Sequence, residues 1–207
     1  MQRISISPGC SPRAAIGHAV EALRAGQVVA FPTDTLYALA VDPRSARAVE
    51  RLFALKGREA TAAVPLIAAS PEQAAMAAHF GERERRAAEM FWPGPLSIVL
   101  PAKPSIVSEA LAGGRTVAIR VPAHALARDL ASAFGFCITA TSANRSGSPP
   151  CESADAVAAA LPEVDLVADG GRSPGGAPST IISFDDDGPV LLREGAVAWD
   201  RVIKSLR

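Results

Sequence analysis

Apolar positions along this chain alternate between two spacings. Ala15, Ala19, Val20 and Leu23 recur on one helical face until Gly26, and the unbroken apolar run at residues 28–31 then predicts a strand. Ahead of them, Ile4 and Ile6 alternate with polar neighbours as a short opening strand. Val49, Leu52 and Phe53 give residues 45–55 a helical stripe, and residues 64–68 read as a short apolar strand. Two further helices are predicted at 71–80 and 82–91. Strands follow at 96–100 and 117–121, a helix at 125–133, a strand at 136–139 and a helix at 153–161. Residues 180–184 and 190–193 form a predicted hairpin around 185–188. Such alternation predicts an α/β fold, and no internal repeat is present. Pro/Gly-rich stretches at 93–95, 146–150 and 170–178 interrupt the pattern without separating two compositionally different halves. The expectation is one α/β domain over residues 1–207, with several functional loops.

Composition narrows the chemistry. A chain of 207 residues, 49% hydrophobic, can bury a substantial core. Its 21 basic residues balance 21 acidic ones, so no net field draws it to nucleic acid or membrane, and an anion site must be a local concentration of cations. Cys10, Cys137 and Cys151 are widely spaced, and His18, His79 and His124 lack ligand spacing, which indicates neither a disulfide framework nor a metal site. The first residues lack the apolar core of a signal peptide, and no apolar run is long enough to span a bilayer. A soluble, cytoplasmic protein without membrane association is expected.

Several segments carry candidate chemistry. Thr141-Ser142-Ala143-Asn144-Arg145-Ser146-Gly147 combines hydroxyls, a carboxamide and glycine, the make-up of a phosphate-binding loop. Lys56-Gly57-Arg58 follows a predicted helix. Its cations either complement the helix dipole in solvent or reach a phosphate, and lysine is informative because only three of the 21 basic residues are lysines. Pro32-Thr33-Asp34-Thr35 ends a predicted buried strand, where two hydroxyls either satisfy a turn or point into a cleft. Trp92-Pro93-Gly94-Pro95-Leu96 reads as a rigid structural corner. Arg120 ends a strand before Pro122 and Arg193 ends the last strand; each is suited to a carboxylate or phosphate, or to a salt bridge with a neighbouring acid. No Ser-His-Asp set or covalent nucleophile is evident.

Taken in order, Pro32-Thr33-Asp34-Thr35-x-Tyr37, Lys56-Gly57-Arg58, Trp92-Pro93-Gly94-Pro95-Leu96, Arg120-x-Pro122, Ser142-Ala143-Asn144-x-Ser146-Gly147, Ser179-Thr180-Ile181 and Arg193-x-Gly195 resemble the YrdC/Sua5 family of threonylcarbamoyl-AMP synthases over nearly the whole chain. The resemblance implies a twisted mixed sheet flanked by helices around a concave, electropositive cavity. It implies synthesis of threonylcarbamoyl-adenylate from L-threonine, bicarbonate and ATP, with pyrophosphate release, for N6-threonylcarbamoylation of adenosine 37 in tRNA. Magnesium is expected with the ATP. By the same resemblance Lys56, Arg58, Ser142 and Asn144 are the catalytic set; Lys56, Arg58, Thr116, Ser142, Asn144 and Arg193 hold ATP; and Thr35, Arg120 and Ser179 hold threonine. A tRNA threonylcarbamoyl transferase complex would receive the product, and weak tRNA binding is an accompanying expectation. The chain resembles the short form of the family. It departs from the family pattern at Ala38 and Ala40, where glycines are usual, and at Glu59 and Ala69.

Two other readings stay open on the residues: an RNA-binding module without adenylating activity, and a family paralogue with a different substrate. Steep salt dependence of binding would mark the first.

Overall fold

The computed structural model describes residues 1–6, 12–57 and 62–206. In chain order the elements are β1 (Gln2–Ser5), α1 (Pro12–Arg24), β2 (Val29–Pro32), β3 (Tyr37–Ala40), α2 (Ala46–Lys56), β4 (Leu66–Ile67), α3 (Pro71–Ala77), α4 (Glu82–Phe91), β5 (Leu96–Pro101), β6 (Thr116–Arg120), α5 (Ala125–Phe134), β7 (Ile138–Thr139), β8 (Thr141–Ser142), α6 (Ala154–Ala160), β9 (Leu166–Asp169), β10 (Thr180–Asp185), β11 (Gly188–Arg193) and α7 (Trp199–Leu206). Two mixed sheets result, with strand orders β1-β9-β2-β3-β8 and β11-β10-β5-β6-β4-β7. One hydrophobic cluster runs through both, and its largest fully buried side chains include Tyr37, Phe31, Leu39, Leu66, Leu96 and Ile119. These residues sit on strands with both faces covered, which is why they read as continuous apolar runs rather than strict alternations.

Local chemistry sets the boundaries that matter for function. α2 begins at Ser45, whose hydroxyl accepts from the Ala48 N–H, and ends at Gly57, which adopts φ 59° and donates its N–H to Ala54 and Phe53 carbonyls. A left-handed residue there favours glycine and stops the helix one residue after Lys56. β2 and β3 pair antiparallel with Val29 opposite Ala40 and Pro32 opposite Tyr37, so residues 33–36 are a four-residue hairpin loop. Ala38 and Ala40 lie in this strand and keep negative φ, since Ala112 is the sole non-glycine with positive φ among the described residues. Their Cβ atoms therefore add no backbone strain.

Predicted and observed elements differ in instructive places. The expected strand at 64–68 shortens to Leu66–Ile67, and the helix expected over 71–80 stops at Ala77, where Ala78 turns extended and bridges Ala102. Tertiary pairing overrides helical pattern there. Four elements went unpredicted: β3, β8, β9 and α7. The β9 strand lies between β1 and β2, parallel to both, and supplies the buried Leu166 and Val167. No described helix is long and apolar enough to cross a membrane.

Candidate functional site

A cavity of about 640 Å³ opens between the two sheets. Its walls come from the 33–36 hairpin loop and the start of β3, from β4, from the end of β6, from β8, and from Ser97, Ser179, Ile181 and Arg193. Among the described lining residues the charged ones are Arg120 and Arg193, and none is a carboxylate. Neutral hydroxyls of Thr33, Thr35, Ser97, Thr141, Ser142 and Ser179 supply most of the remaining polarity. Such a lining favours a polar anion. Another recess, of about 450 Å³ between α4, the β10–β11 hairpin and α7, gathers none of the sequence-predicted site residues.

The hairpin loop is held by Thr33. Its hydroxyl donates to the Leu36 carbonyl at 2.7 Å and accepts from the Thr35 and Leu36 N–H groups, and it lies 3.1 Å from the Thr35 hydroxyl. Thr35, 7% exposed, is thereby fixed against the cavity, and its carbonyl accepts from Gly175 of the 170–178 stretch. Asp34, between them, accepts from Arg120 Nη1 at 2.5 Å and from the Ala123 N–H at 3.1 Å. Both side chains of this ion pair are largely buried, at 8% and 13% exposed. The salt-bridge alternative for Arg120 is therefore present in the fold, yet one guanidinium N–H is engaged by Asp34 and the residue still lines the cavity. His124 flanks this pair with a buried Nδ1 that has no partner among the described residues; burial lowers its pKa, outweighing the opposing charge of Asp34, and the charge of Arg128 lowers it further.

Lys56 is not a solvated helix cap. It is 4% exposed, and its ammonium donates to the Ser142 carbonyl at 2.6 Å, the Asn144 carbonyl at 3.0 Å and Asn144 Oδ1 at 3.3 Å. Asn144 Oδ1 also accepts from the Ser142 hydroxyl at 2.5 Å, and its Nδ2 donates to the Ser148 carbonyl. The Ser146 N–H closes the loop onto the Lys56 carbonyl. A recess of about 360 Å³ is lined by Lys56, Thr141, Ser142, Asn144, Ser146 and Gly147, and it shares Thr141 and Ser142 with the larger cavity. The structure thus brings together the two sequence clusters, 86 residues apart at Lys56 and Ser142.

On the opposite wall, Arg193 donates from Nε and Nη2 to the Ser179 carbonyl and from Nη2 to the Ser179 hydroxyl at 3.2 Å. Thr180 Oγ1 accepts from Gly195 and Val197 N–H groups and donates to the Val197 carbonyl. A Cβ at Gly195 would collide with the Pro178 carbonyl oxygen, so only glycine allows the chain after β11 to lie this close to the chain before β10. Local packing around the Arg193 head, and then the charge of Arg120, lower its pKa. An anion placed between the two arginines would offset that repulsion.

Arg58 lies outside the described residues. Thr116 stands exposed at the start of β6, the far end from Arg120, and the structure does not bring it into the cavity lining. Sequence reasoning assigned no role to Asp34 or Ser97. For Asp34 the signal was a carboxylate between two threonines of a motif already singled out; for Ser97 there was none, since a serine early in a strand is commonplace. Trp92 forms the expected corner: it is buried, and its indole N–H donates to the Leu96 carbonyl.

The Sua5/YciO/YrdC family model, described as telomere recombination, matches residues 21–195. A threonylcarbamoyl-AMP synthase of Pyrococcus abyssi is 40% identical over 185 residues, covering 88% of this chain and 54% of that protein. One of the same name from Bacillus subtilis is 38% identical over 192 residues, covering 90% of this chain and 55% of its own length. The chain thus spans about half the length of these two relatives. The crystal structure of P. abyssi Sua5 complexed with L-threonine superposes with a TM-score of 0.93 at 35% identity, covering 99% of this chain and 61% of that one.

Proposed function

The chain belongs to the Sua5/YciO/YrdC family, and from that premise we propose that it forms threonylcarbamoyl-AMP from L-threonine, bicarbonate and ATP, releasing pyrophosphate. The observation that carries this reading is the cavity between the sheets, whose described lining holds Arg120 and Arg193 and no carboxylate, and which shares Thr141 and Ser142 with the Lys56–Ser142–Asn144 recess. Arg120, Thr35 and Ser179 would receive the amino acid, with the Arg120 guanidinium meeting its carboxylate. The 142–147 loop, with Lys56 and Arg193, would receive the nucleotide. Arg58 and Thr116 belong to the nucleotide-binding set by resemblance.

The reaction asks mainly for alignment. Threonine's amine captures carbon dioxide or bicarbonate as a carbamate, whose oxygen attacks the α-phosphorus of ATP, and cations stabilise pyrophosphate as it leaves. The described lining residues supply hydroxyls and guanidinium groups rather than carboxylates, which fits a Mg²⁺ ion held mainly by triphosphate oxygens and water. The whole chain would work as one domain in the cytoplasm, and its product would pass to a tRNA threonylcarbamoyl transferase for adenosine 37. Incubation with ATP, L-threonine and bicarbonate tests the proposal: mass detection should find threonylcarbamoyl-adenylate with stoichiometric pyrophosphate. ATP turnover independent of threonine would overturn it.

A further inference from the structure

Ser97 has no role in the reading above, yet it is 3% exposed, lines the cavity and lies 2.9 Å from the Ser179 hydroxyl. Its position is fixed by the sheet. Ser97 is paired with Ile181 in the parallel β5–β10 ladder, and the Thr180 N–H is bound to the Pro95 carbonyl just beside it. The two hydroxyls therefore meet because two strands hold them there.

Counting protons gives the pair a direction. Arg193 Nη2 donates to Ser179 Oγ, so that oxygen is already an acceptor. If Ser97 donates to Ser179, the Ser179 proton is left over; if Ser179 donates to Ser97, the Ser97 proton is left over. In either arrangement one hydroxyl proton has no acceptor among the described residues, and both side chains face the cavity. A ligand oxygen meeting that proton accepts a hydrogen bond from the pair. An anionic oxygen beside Ser179 selects the first arrangement: the Ser179 proton then goes to a charged acceptor, and donation from Ser97 and Arg193 Nη2 into Ser179 Oγ strengthens that bond.

The geometry points to Ser97 as a positioning residue: from behind Ser179 it fixes that hydroxyl as a donor toward an acceptor oxygen of the substrate, the carboxylate of an amino acid. This deepens the proposed function and rests on it. Ser97 acts through Ser179, so its effect disappears once the Ser179 hydroxyl is gone.

Calorimetric titration with L-threonine, on variants checked for folding by circular dichroism, tests this. Ser97→Ala should weaken binding about tenfold, the scale of one net hydrogen bond in a partly desolvated site. Ser97→Thr, which keeps the hydroxyl, should bind within about twofold of wild type. Ser97→Cys, similar in size but a weak donor, should resemble Ser97→Ala and serves if the alanine variant fails to fold. The double variant Ser97→Ala/Ser179→Ala should bind no more weakly than Ser179→Ala alone. Unchanged affinity in Ser97→Ala and Ser97→Cys overturns the proposal, and so do losses that multiply in the double variant, because Ser97 would then act without Ser179. If the wild-type chain binds no L-threonine, the functional reading itself falls and this proposal with it; the wild-type titration therefore separates the two failures.

Discussion

A buried ammonium needs oxygen partners, and Lys56 finds them in the backbone it helps to shape. Its hydrogen bonds to Ser142 and Asn144 hold the loop in place, so on the proposed function its removal would act on the chemistry and on the loop together. Lys56→Ala should lower turnover by about 2–4 kcal/mol in barrier terms and should also destabilise the fold by about 1–3 kcal/mol, because carbonyl groups lose their donor. Pyrophosphate release at the wild-type rate by a folded Lys56→Ala protein would reject the assignment. Arg120 is a different case, since its partner Asp34 already takes part of its hydrogen-bonding capacity. Arg120→Lys replaces a planar fork by a point charge that cannot serve Asp34 and a substrate carboxylate in the same geometry. Threonine binding should fall by about 2 kcal/mol or more while ATP affinity stays within a few-fold, both measured by calorimetry. Lower thermal stability with threonine affinity unchanged would assign Arg120 to the salt bridge alone.

At the scale of elements, the corner joining β10 and β11 to the chain beyond them depends on one missing Cβ. Gly195→Ala should push residues 193–197 away from Pro178 and break the Gly195 and Ala196 hydrogen bonds. Overpacking of this kind costs about 1–3 kcal/mol, which lowers Tm by about 2–10 °C in a chain of this size. The larger effect should be on product formation, because Arg193 and Ser179 are joined across that corner; full activity at a lowered Tm would separate the corner from the site. Which elements the sequence disclosed follows from how each is stabilised. The helices with a strong apolar stripe, α1, α2, α4 and α5, were legible because burial of one face leaves a 3.6-residue period. β3 was not, because Tyr37-Ala38-Leu39-Ala40 follows a turn motif and becomes a strand through pairing with β2 and β8. The two-residue β8 was equally hidden, since Thr141 and Ser142 carry the composition of a phosphate loop and are too few to show a strand period.

For the molecule as a whole, the site is a product of topology. Motif order disclosed the family, and the Lys56 and Ser142 clusters were singled out as partners, but that their contact passes through backbone carbonyls is decided by the sheets. Asp34 and Ser97 stayed silent for the same reason: each matters through a neighbour distant in sequence, Arg120 in one case and Ser179 in the other.

The sequestration of Lys56 also sets how the protein answers to chemical tagging. With three lysines in the chain, Lys204 on α7 is exposed, Lys103 donates to the Ala75 carbonyl, and Lys56 is enclosed by its oxygens. Among the lysines, brief exposure to a bulky amine-reactive ester should acylate Lys204 first and leave Lys56 unmodified, with the exposed Met1 amine reacting alongside, as peptide mass mapping would show. Early acylation of Lys56 would mean that the loop at Ser142–Asn144 opens far more often than a buried, multiply bonded ammonium allows.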